Sequence, residues 1–314
     1  MPTASSSSGW SEERVLAWLS RRPQPECLAG SWHHDAAVLR RQIGRPVTCT
    51  DQAIEGIHAQ LDGSPRKLGA KAVARTLSDL AATAATPVAV SLALRAPRER
   101  EERWLKEAIT GAAKEAERHG AALIAGDLSA APGPAGLAVT AHGRLPGRRT
   151  PPGRDRAQPG QALVLTGPVG GSLLGRHERI QPRLAAGRQL WLAGATALMD
   201  VSDGLALDLH RLARASKVAF ELLKLPIHRD ARRAARTSGR LPLEHALGDG
   251  EDHELLACLP RRSAERLLAQ GLVGCPGATW IGNVTEAGTE PLAFASASEY
   301  AGPIPPTGYL HGCR

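Results

Sequence analysis

The chain has 314 residues, long enough for two ordinary domains around a large buried core. Its 42% hydrophobic content excludes wholesale disorder, and with aromatics at only 3% the packing must rest on Ala, Leu and Val. The formal charge of +8 comes mostly from scattered arginines, which fits either an anionic ligand or a solvated basic surface.

The most basic stretch, GRRTPPGRDR at 147–156, contains no aromatic residue and is broken by Gly and Pro. It reads as a linker, not as a nucleic-acid stripe. Cys27, Cys49, Cys258, Cys275 and Cys313 lie far apart without CxxC spacing, so neither a zinc site nor a disulfide scaffold is expected. The opening MPTASSSSG has no apolar run behind a basic start, and no segment has the apolar length of a membrane span. These features point to a reduced, cytoplasmic setting without membrane or nucleic-acid partners.

In chain order, SEERVLAWLSRR predicts a short amphipathic helix capped by Ser11. PVTCTD at 46–51 is a β-prone run ending on an acid, and residues 67–85 are rich in helix formers. PVAVSLALR predicts a strand with Val88, Val90, Leu92 and Leu94 on one face. A second long helix runs to Gly120, with Arg118 and His119 in its last turn. AALIAGD and GLAVTAHGRL follow as strands.

The Pro/Gly/Arg stretch that follows is the domain boundary. The expected organisation is a tail and helix over 1–30, an N-terminal domain over 31–146, a linker over 147–160 and a C-terminal domain over 161–314. Past the linker, QALVLTG is a buried-strand run. GPVGGS lacks the GK[ST] of a Walker loop, so it is expected to turn the strand into a helix, with amides still able to meet phosphate. A helix after Asp203, strands near 218–225, 253–259 and 279–285, and helices near 229–238 and 261–270 complete the mixture. Leu205, Leu209, Leu212 and Ala213 form a core stripe. Without an even βαβ rhythm, two α+β domains fit best.

The aspartates make a pattern. Asp35, Asp51, Asp79, Asp127, Asp200 and Asp203 each close an apolar run or stand among small residues, where a carboxylate is costly to desolvate unpaired. Lysine is scarce, and no arginine stands at helical spacing to neutralise most of them. Divalent cations such as Mg²⁺, which bridge one or two carboxylates to substrate phosphates, answer the need. Taken singly, Asp203 also suits a helix cap. Adjacent His33 and His34 point different ways and lack partners at ligand spacing.

The succession DAAV, TDxxxEGIH, LGxKAVxxxLSDLAA, GD, a TG-glycine segment, DVSDGLxxDL and GEDHELL resembles the thiamine-monophosphate kinase family. That family belongs to the aminoimidazole-ribonucleotide-synthetase-like superfamily of ATP-using enzymes. The match runs from about residue 33 to GYLH near the C-terminus. The resemblance implies direct transfer of the γ-phosphoryl of ATP to thiamine monophosphate, without a phosphoenzyme. It implies a homodimer in which the N-terminal domain contributes strands to a shared β-barrel, beside a C-terminal α/β sandwich. Positions matching the family's magnesium ligands are Asp35, Thr50, Asp51, Asp79, Asp127, Asp200 and Asp203. Gly126, Asp127, Arg154 and Ser202 match ATP contacts, and His58 and Glu251 match contacts to the thiamine phosphate. Asp127 and Asp203 are the acids expected at the reaction centre. Read without the family, Arg154 is equally a solvated linker charge, His58 an ordinary surface histidine and Glu251 a turn acid.

Several family positions are altered. His34 replaces an acid, Cys49 a serine and Thr76 an asparagine; AGDLS stands for GGDTT and DGEDHE for GGEDYE. Pro306 stands where an aromatic residue usually precedes GY, in place of a stacking surface for the thiamine rings. Two other readings therefore stand beside an active kinase: a relative that binds nucleotide or thiamine phosphate without efficient turnover, and a sister ATP-dependent enzyme with another substrate. The ending GYLHGCR lacks the reactive cysteine tail of the hydrogenase-maturation relatives.

Overall fold

The computed structural model describes residues 9–30 and 36–310. The chain divides into two compact units: residues 1–77 with 86–146, and residues 78–85 with 147–314. The division falls inside one long helix, after Leu77.

The first unit holds α1 (Glu12–Leu19), β1 (Arg45–Ile54), the start of α2 (Pro65–Ala82), β2 (Thr86–Ala96), α3 (Glu102–Arg118), β3 (Ala122–Ala130) and β4 (Gly136–Leu145). Ser11 caps α1 by accepting from the Arg14 amide at 3.4 Å. The strands form one sheet in the order β1-β4-β2-β3, antiparallel except for the β2–β3 pair. A βαβ crossover through α3 makes that pair parallel.

Helices α2 and α3 approach at two glycines. A Cβ on Gly69 would lie 1.9 Å from the Ala108 carbonyl oxygen, and one on Gly111 would lie 2.1 Å from that of Arg66. Both positions therefore demand glycine inside helices, where it is otherwise unfavourable.

Val90, Leu92 and Leu94 are buried along β2 as expected, but Val88 leaves their face. The β2–β4 register shifts between Pro87, opposite Gly143, and Ala89, opposite His142, so the extra residue reverses the alternation.

The second unit is built on a seven-stranded sheet, with the end of α2 packed in its core. Its elements are β5 (Ala162–Leu165), α4 (Leu184–Leu192), β6 (Ala197–Asp200), α5 (Leu205–Ser216), β7 (Val218–Leu222), α6 (Arg229–Ser238), α7 (Pro242–Gly248), β8 (Leu255–Leu259), α8 (Arg261–Gln270), β9 (Thr279–Glu286), β10 (Leu292–Phe294) and β11 (Gly302–Pro303). The strand order is β11-β10-β7-β9-β5-β8-β6. Alternate residues of β5 enter different cores: Leu163 and Leu165 pack with Leu205, Leu209 and Leu212 of α5, whereas Ala162 and Val164 pack with Leu190 of α4 and Ala264 of α8. Helices thus cover both faces of the sheet, which explains why β5, β6 and β8 are apolar throughout, without alternation. The architecture is mixed α and β in each unit.

GPVGGS does not start an α-helix. It leads into a single 3₁₀ turn, Ser172–Leu174, after left-handed Gly170 and Gly171. A Cβ on Gly171 would lie 2.2 Å from the Asp230 carbonyl carbon, so a larger residue is excluded on both counts. No helix among the described residues is long and apolar enough to cross a membrane.

Candidate functional site

Strand β6 ends on Asp200, and a tight turn through Ser202 and Asp203 leads to left-handed Gly204 and the start of α5. Asp200 is only 3% exposed. Its Oδ2 accepts from Ser78 Oγ at 2.8 Å and faces His253 Nδ1 at 3.2 Å. Burial raises its pKa, but the hydrogen bond and charge of His253, the Ser78 hydroxyl and the charge of Arg154 outweigh that and hold it below the ordinary carboxylate value. Asp79 follows Ser78 in α2.

Asp203 is half-buried, and Arg211 of α5 donates to its Oδ2. The same Nη1 donates to Asp208 Oδ1 at 3.0 Å. Burial first, then the charges of Asp200 and Asp203, push the Asp208 carboxyl up to about 6.

The turn is locked from the other side by the GEDHE segment. Glu251 N donates to Ser202 O at 2.7 Å, His253 N to Val201 O at 2.8 Å, and Val201 N to Glu254 O at 2.8 Å. Gly250, Glu251 and His253 have φ of 71°, 54° and 52° to make these bonds. Left-handed backbone at two non-glycine residues is strain that clusters at functional sites. Glu251 lines a cavity of about 140 Å³ with Arg176, Arg179, Gln181, His228 and Asp252. Arg154 is exposed, and its carbonyl accepts from Ser216 Oγ at 2.8 Å.

The other sequence-predicted residues belong to the first unit. Thr50 and Thr140 face each other in register across β1 and β4, with their hydroxyls 2.9 Å apart. Asp51 pairs with Arg75 of α2 at 2.9 Å. Asp127, exposed on β3, accepts from Ser129 Oγ at 3.0 Å. A Cβ on neighbouring Gly126 would lie 2.5 Å from the Leu92 carbonyl oxygen, so the strand pairing itself requires the glycine. Asp35, His33 and His34 lie outside the described residues.

Three expectations are corrected. The acids do not lack protein partners: Arg75 reaches Asp51, Arg211 reaches Asp203 and His253 reaches Asp200. His58 is not a surface residue but 8% exposed. Its Nδ1 accepts from the Ile54 amide at 3.1 Å, which puts the proton of the neutral ring on Nε2, and Lys71 donates to its carbonyl. The amides of the glycine segment are also committed: Gly170 N donates to Asp252 at 2.9 Å and Gly171 N to Asp249 at 3.0 Å. They are spent on carboxylates of their own unit.

Two altered family positions prove to be one contact. Cys49 Sγ donates to the Thr76 carbonyl at 3.2 Å, so the two substitutions sit against each other between β1 and α2. Pro306 is exposed. Near it, Gly308 packs so closely that a Cβ would lie 2.6 Å from Asp203 O, and the Tyr309 amide donates to that oxygen at 2.7 Å.

Among the described residues, no group of three or more His, Cys, Asp or Glu side chains is placed to hold a metal ion by itself. The oxygen-only donors of Asp200 and Asp203 still suit magnesium, a hard cation that keeps several waters and takes one or two carboxylates plus phosphate. Among the described residues, both side-chain bonds to Asp200 fall on Oδ2, and Arg211 takes Oδ2 of Asp203.

Comparison with known proteins decides the kinship. Residues 33–145 match the family model of the AIR synthase related protein, N-terminal domain. The thiamine-monophosphate kinase of Rhodopirellula baltica is 38% identical over 316 residues, covering 96% of this chain and 97% of that protein. The chain belongs to the thiamine-monophosphate kinase family. A solved member of that family, AaThiL complexed with AMPPCP and TMP, superposes with a TM-score of 0.73 at 27% identity, covering 85% of this chain and 87% of its own. The hydrogenase maturation protein HypE in complex with ATP has a TM-score of 0.76 at 20% identity over 95% of this chain and shares the fold. Ser78 and His253, the partners of Asp200, and Asp208 and Arg211, the partners of the Ser202–Asp203 turn, are not among the site residues expected from the sequence. Asp208 carried a signal, being an acid inside the apolar LALDL run; Ser78 and His253 meet Asp200 only through the fold.

Proposed function

We propose that this chain phosphorylates thiamine monophosphate with ATP, giving thiamine diphosphate and ADP by direct in-line transfer on a centre of several magnesium ions. The observation that carries this reading is the carboxylate pair bracketing Ser202 at the end of β6, its buried member held ionised by Ser78 and His253. Kinship to kinases of this name along nearly the full chain supports it.

Phosphoryl transfer between two phosphates brings two polyanions together, so catalysis rests on neutralising charge and aligning the two ends. Magnesium, when bound, would supply Lewis-acid polarisation of the phosphate oxygens. Asp35, Thr50, Asp51, Asp79, Asp127, Asp200 and Asp203 are the residues that would hold it. Gly126, Asp127, Arg154 and Ser202 bind ATP, Arg154 through its planar fork. His58 offers Nε2–H to the substrate phosphate, and Glu251 accepts from the pyrimidine amine at its cavity. Asp127 and Asp203 stand at the reaction centre. No general base is needed, because the accepting phosphate is already anionic at neutral pH.

The proposed assembly is a homodimer sharing a barrel built from the β1-β4-β2-β3 sheets, in the cytoplasm. The alternating half-exposed and exposed residues of edge strand β1 are in keeping with a shared barrel.

A coupled assay of the purified protein with ATP, Mg²⁺ and thiamine monophosphate tests the reading, with Asp127→Asn as control. Thiamine diphosphate is expected from the wild type, and the control should lose at least about a hundredfold in rate. Transfer that persists unchanged in the control would remove Asp127 from the centre. ATP binding without diphosphate product would favour the non-catalytic relative.

A further inference from the structure

The acid inside the run that follows the DVSDG turn, Asp208, has no part in the reading above. It stands in the first turn of α5 and is 1% exposed. Its Oδ2 accepts from two consecutive backbone amides, Ser202 at 3.0 Å and Asp203 at 3.1 Å. Its Oδ1 accepts from Arg211 Nη1 at 3.0 Å, and that same nitrogen reaches the Asp203 carboxylate. One buried carboxylate therefore fixes the backbone of Asp203 directly and its side chain through Arg211.

Filling space does not account for this arrangement. An apolar residue among Leu205, Leu209 and Leu212 would fill the position without the penalty of burying a charge. What a leucine could not do is hold both amides of the turn and anchor the arginine on Asp203. Magnesium demands near-ideal octahedral angles, so a ligand carboxylate free to swing loses affinity. Partners that orient ligands are worth about 10- to 100-fold in metal affinity or activity.

We propose that Asp208 is a positioning residue for the Ser202–Asp203 turn, with Arg211 as its outer arm, and that the pair sets the affinity of Asp203 for its metal. The inference rests on the assignment of Asp203 to magnesium made above. The test is titration of the full-length protein with Mn²⁺ in the presence of the non-hydrolysable analogue AMPPCP, followed by water-proton relaxation. Asp208→Asn, Arg211→Met and Asp203→Asn are compared with the wild type. Steady-state kinetics then give the half-saturating Mg²⁺ concentration and the KM for thiamine monophosphate.

All three substitutions are expected to weaken Mn²⁺ binding, Asp208→Asn and Arg211→Met by about 10- to 100-fold. The Mg²⁺ requirement should rise with them while the KM for thiamine monophosphate stays within about twofold, a split that loss of core packing would not produce. If Asp203→Asn binds Mn²⁺ weakly but Asp208→Asn and Arg211→Met bind it like the wild type, the positioning role is overturned and the Asp203 assignment stands. If Asp203→Asn also binds like the wild type, the assignment falls and the positioning role with it. Should Asp208→Asn fail to fold, Arg211→Met, whose side chain is 31% exposed, decides the question alone.

Discussion

Asp200→Asn is expected to lower kcat/KM for MgATP by at least about a hundredfold while leaving the protein folded. Asparagine keeps the volume, and its carbonyl oxygen can accept both bonds now made to Oδ2, from Ser78 and His253. What disappears is the negative charge that this 3%-exposed position keeps despite burial. Asp200→Ala should differ in kind. It strands the Ser78 hydroxyl and the His253 ring N–H in a dry interior, at roughly 1–3 kcal/mol for each unmade bond. Kinetics beside chemical denaturation separate the two effects. Activity within a few-fold of wild type in a folded Asp200→Asn protein would remove this acid from the proposed magnesium site.

The largest stability loss is expected at Glu254. This carboxylate is 3% exposed; Arg183 donates to both its oxygens, and Thr166 Oγ1 donates to Oε2 at 2.5 Å. Thr166 Oγ1 in turn accepts from the Leu255 amide at 2.8 Å, and Arg183 Nη1 donates to Gly274 O at 3.0 Å. The network ties the end of β5, the start of α4 and the approach to β8 together. Glu254→Gln preserves shape but leaves the guanidinium without its counter-charge. Breaking a buried pair in this way costs about 3–5 kcal/mol, and the low end applies because the Arg183 side chain is 24% exposed. A fall in urea midpoint at unchanged slope would show it. A loss below about 1 kcal/mol would mean that solvent already screens the pair.

The long helices and the alternating strands are legible in the sequence. Helices α3 and α5 carry apolar stripes, α2 is an unbroken run of helix formers that the structure buries on nearly every side, and β4 alternates strictly between buried and half-exposed residues. The short inner elements are not. ALMD in β6 is four residues buried on both faces, so it has no period to detect, and β10 and β11 are shorter still. Helices α4 and α7 are nine and seven residues long, and α4 carries a glycine that serves packing, since a Cβ on Gly187 would lie 2.1 Å from Ala81 O.

The acids themselves could be picked out from their apolar surroundings, but their partners could not. Arg75 is 24 residues from Asp51, and His253 is 53 from Asp200; tertiary structure alone brings them together. Arg211 lies eight residues from Asp203, and only the turn at Gly204 followed by two turns of α5 sets the guanidinium over the carboxylate. The expectation of unpaired acids failed for this reason. A search for i, i+3 and i, i+4 pairs finds Arg211 with Asp208 and misses its second contact, with Asp203.

On the proposed function, the γ-phosphoryl of ATP ends on the phosphate of thiamine monophosphate and not on water. Phosphorus NMR of the purified protein with ATP, Mg²⁺ and thiamine monophosphate tests it most directly. The account predicts coupled resonances of a new diphosphate ester growing in step with ADP, with free phosphate absent from the early time course. ADP accumulating with inorganic phosphate while thiamine monophosphate remains intact would contradict it.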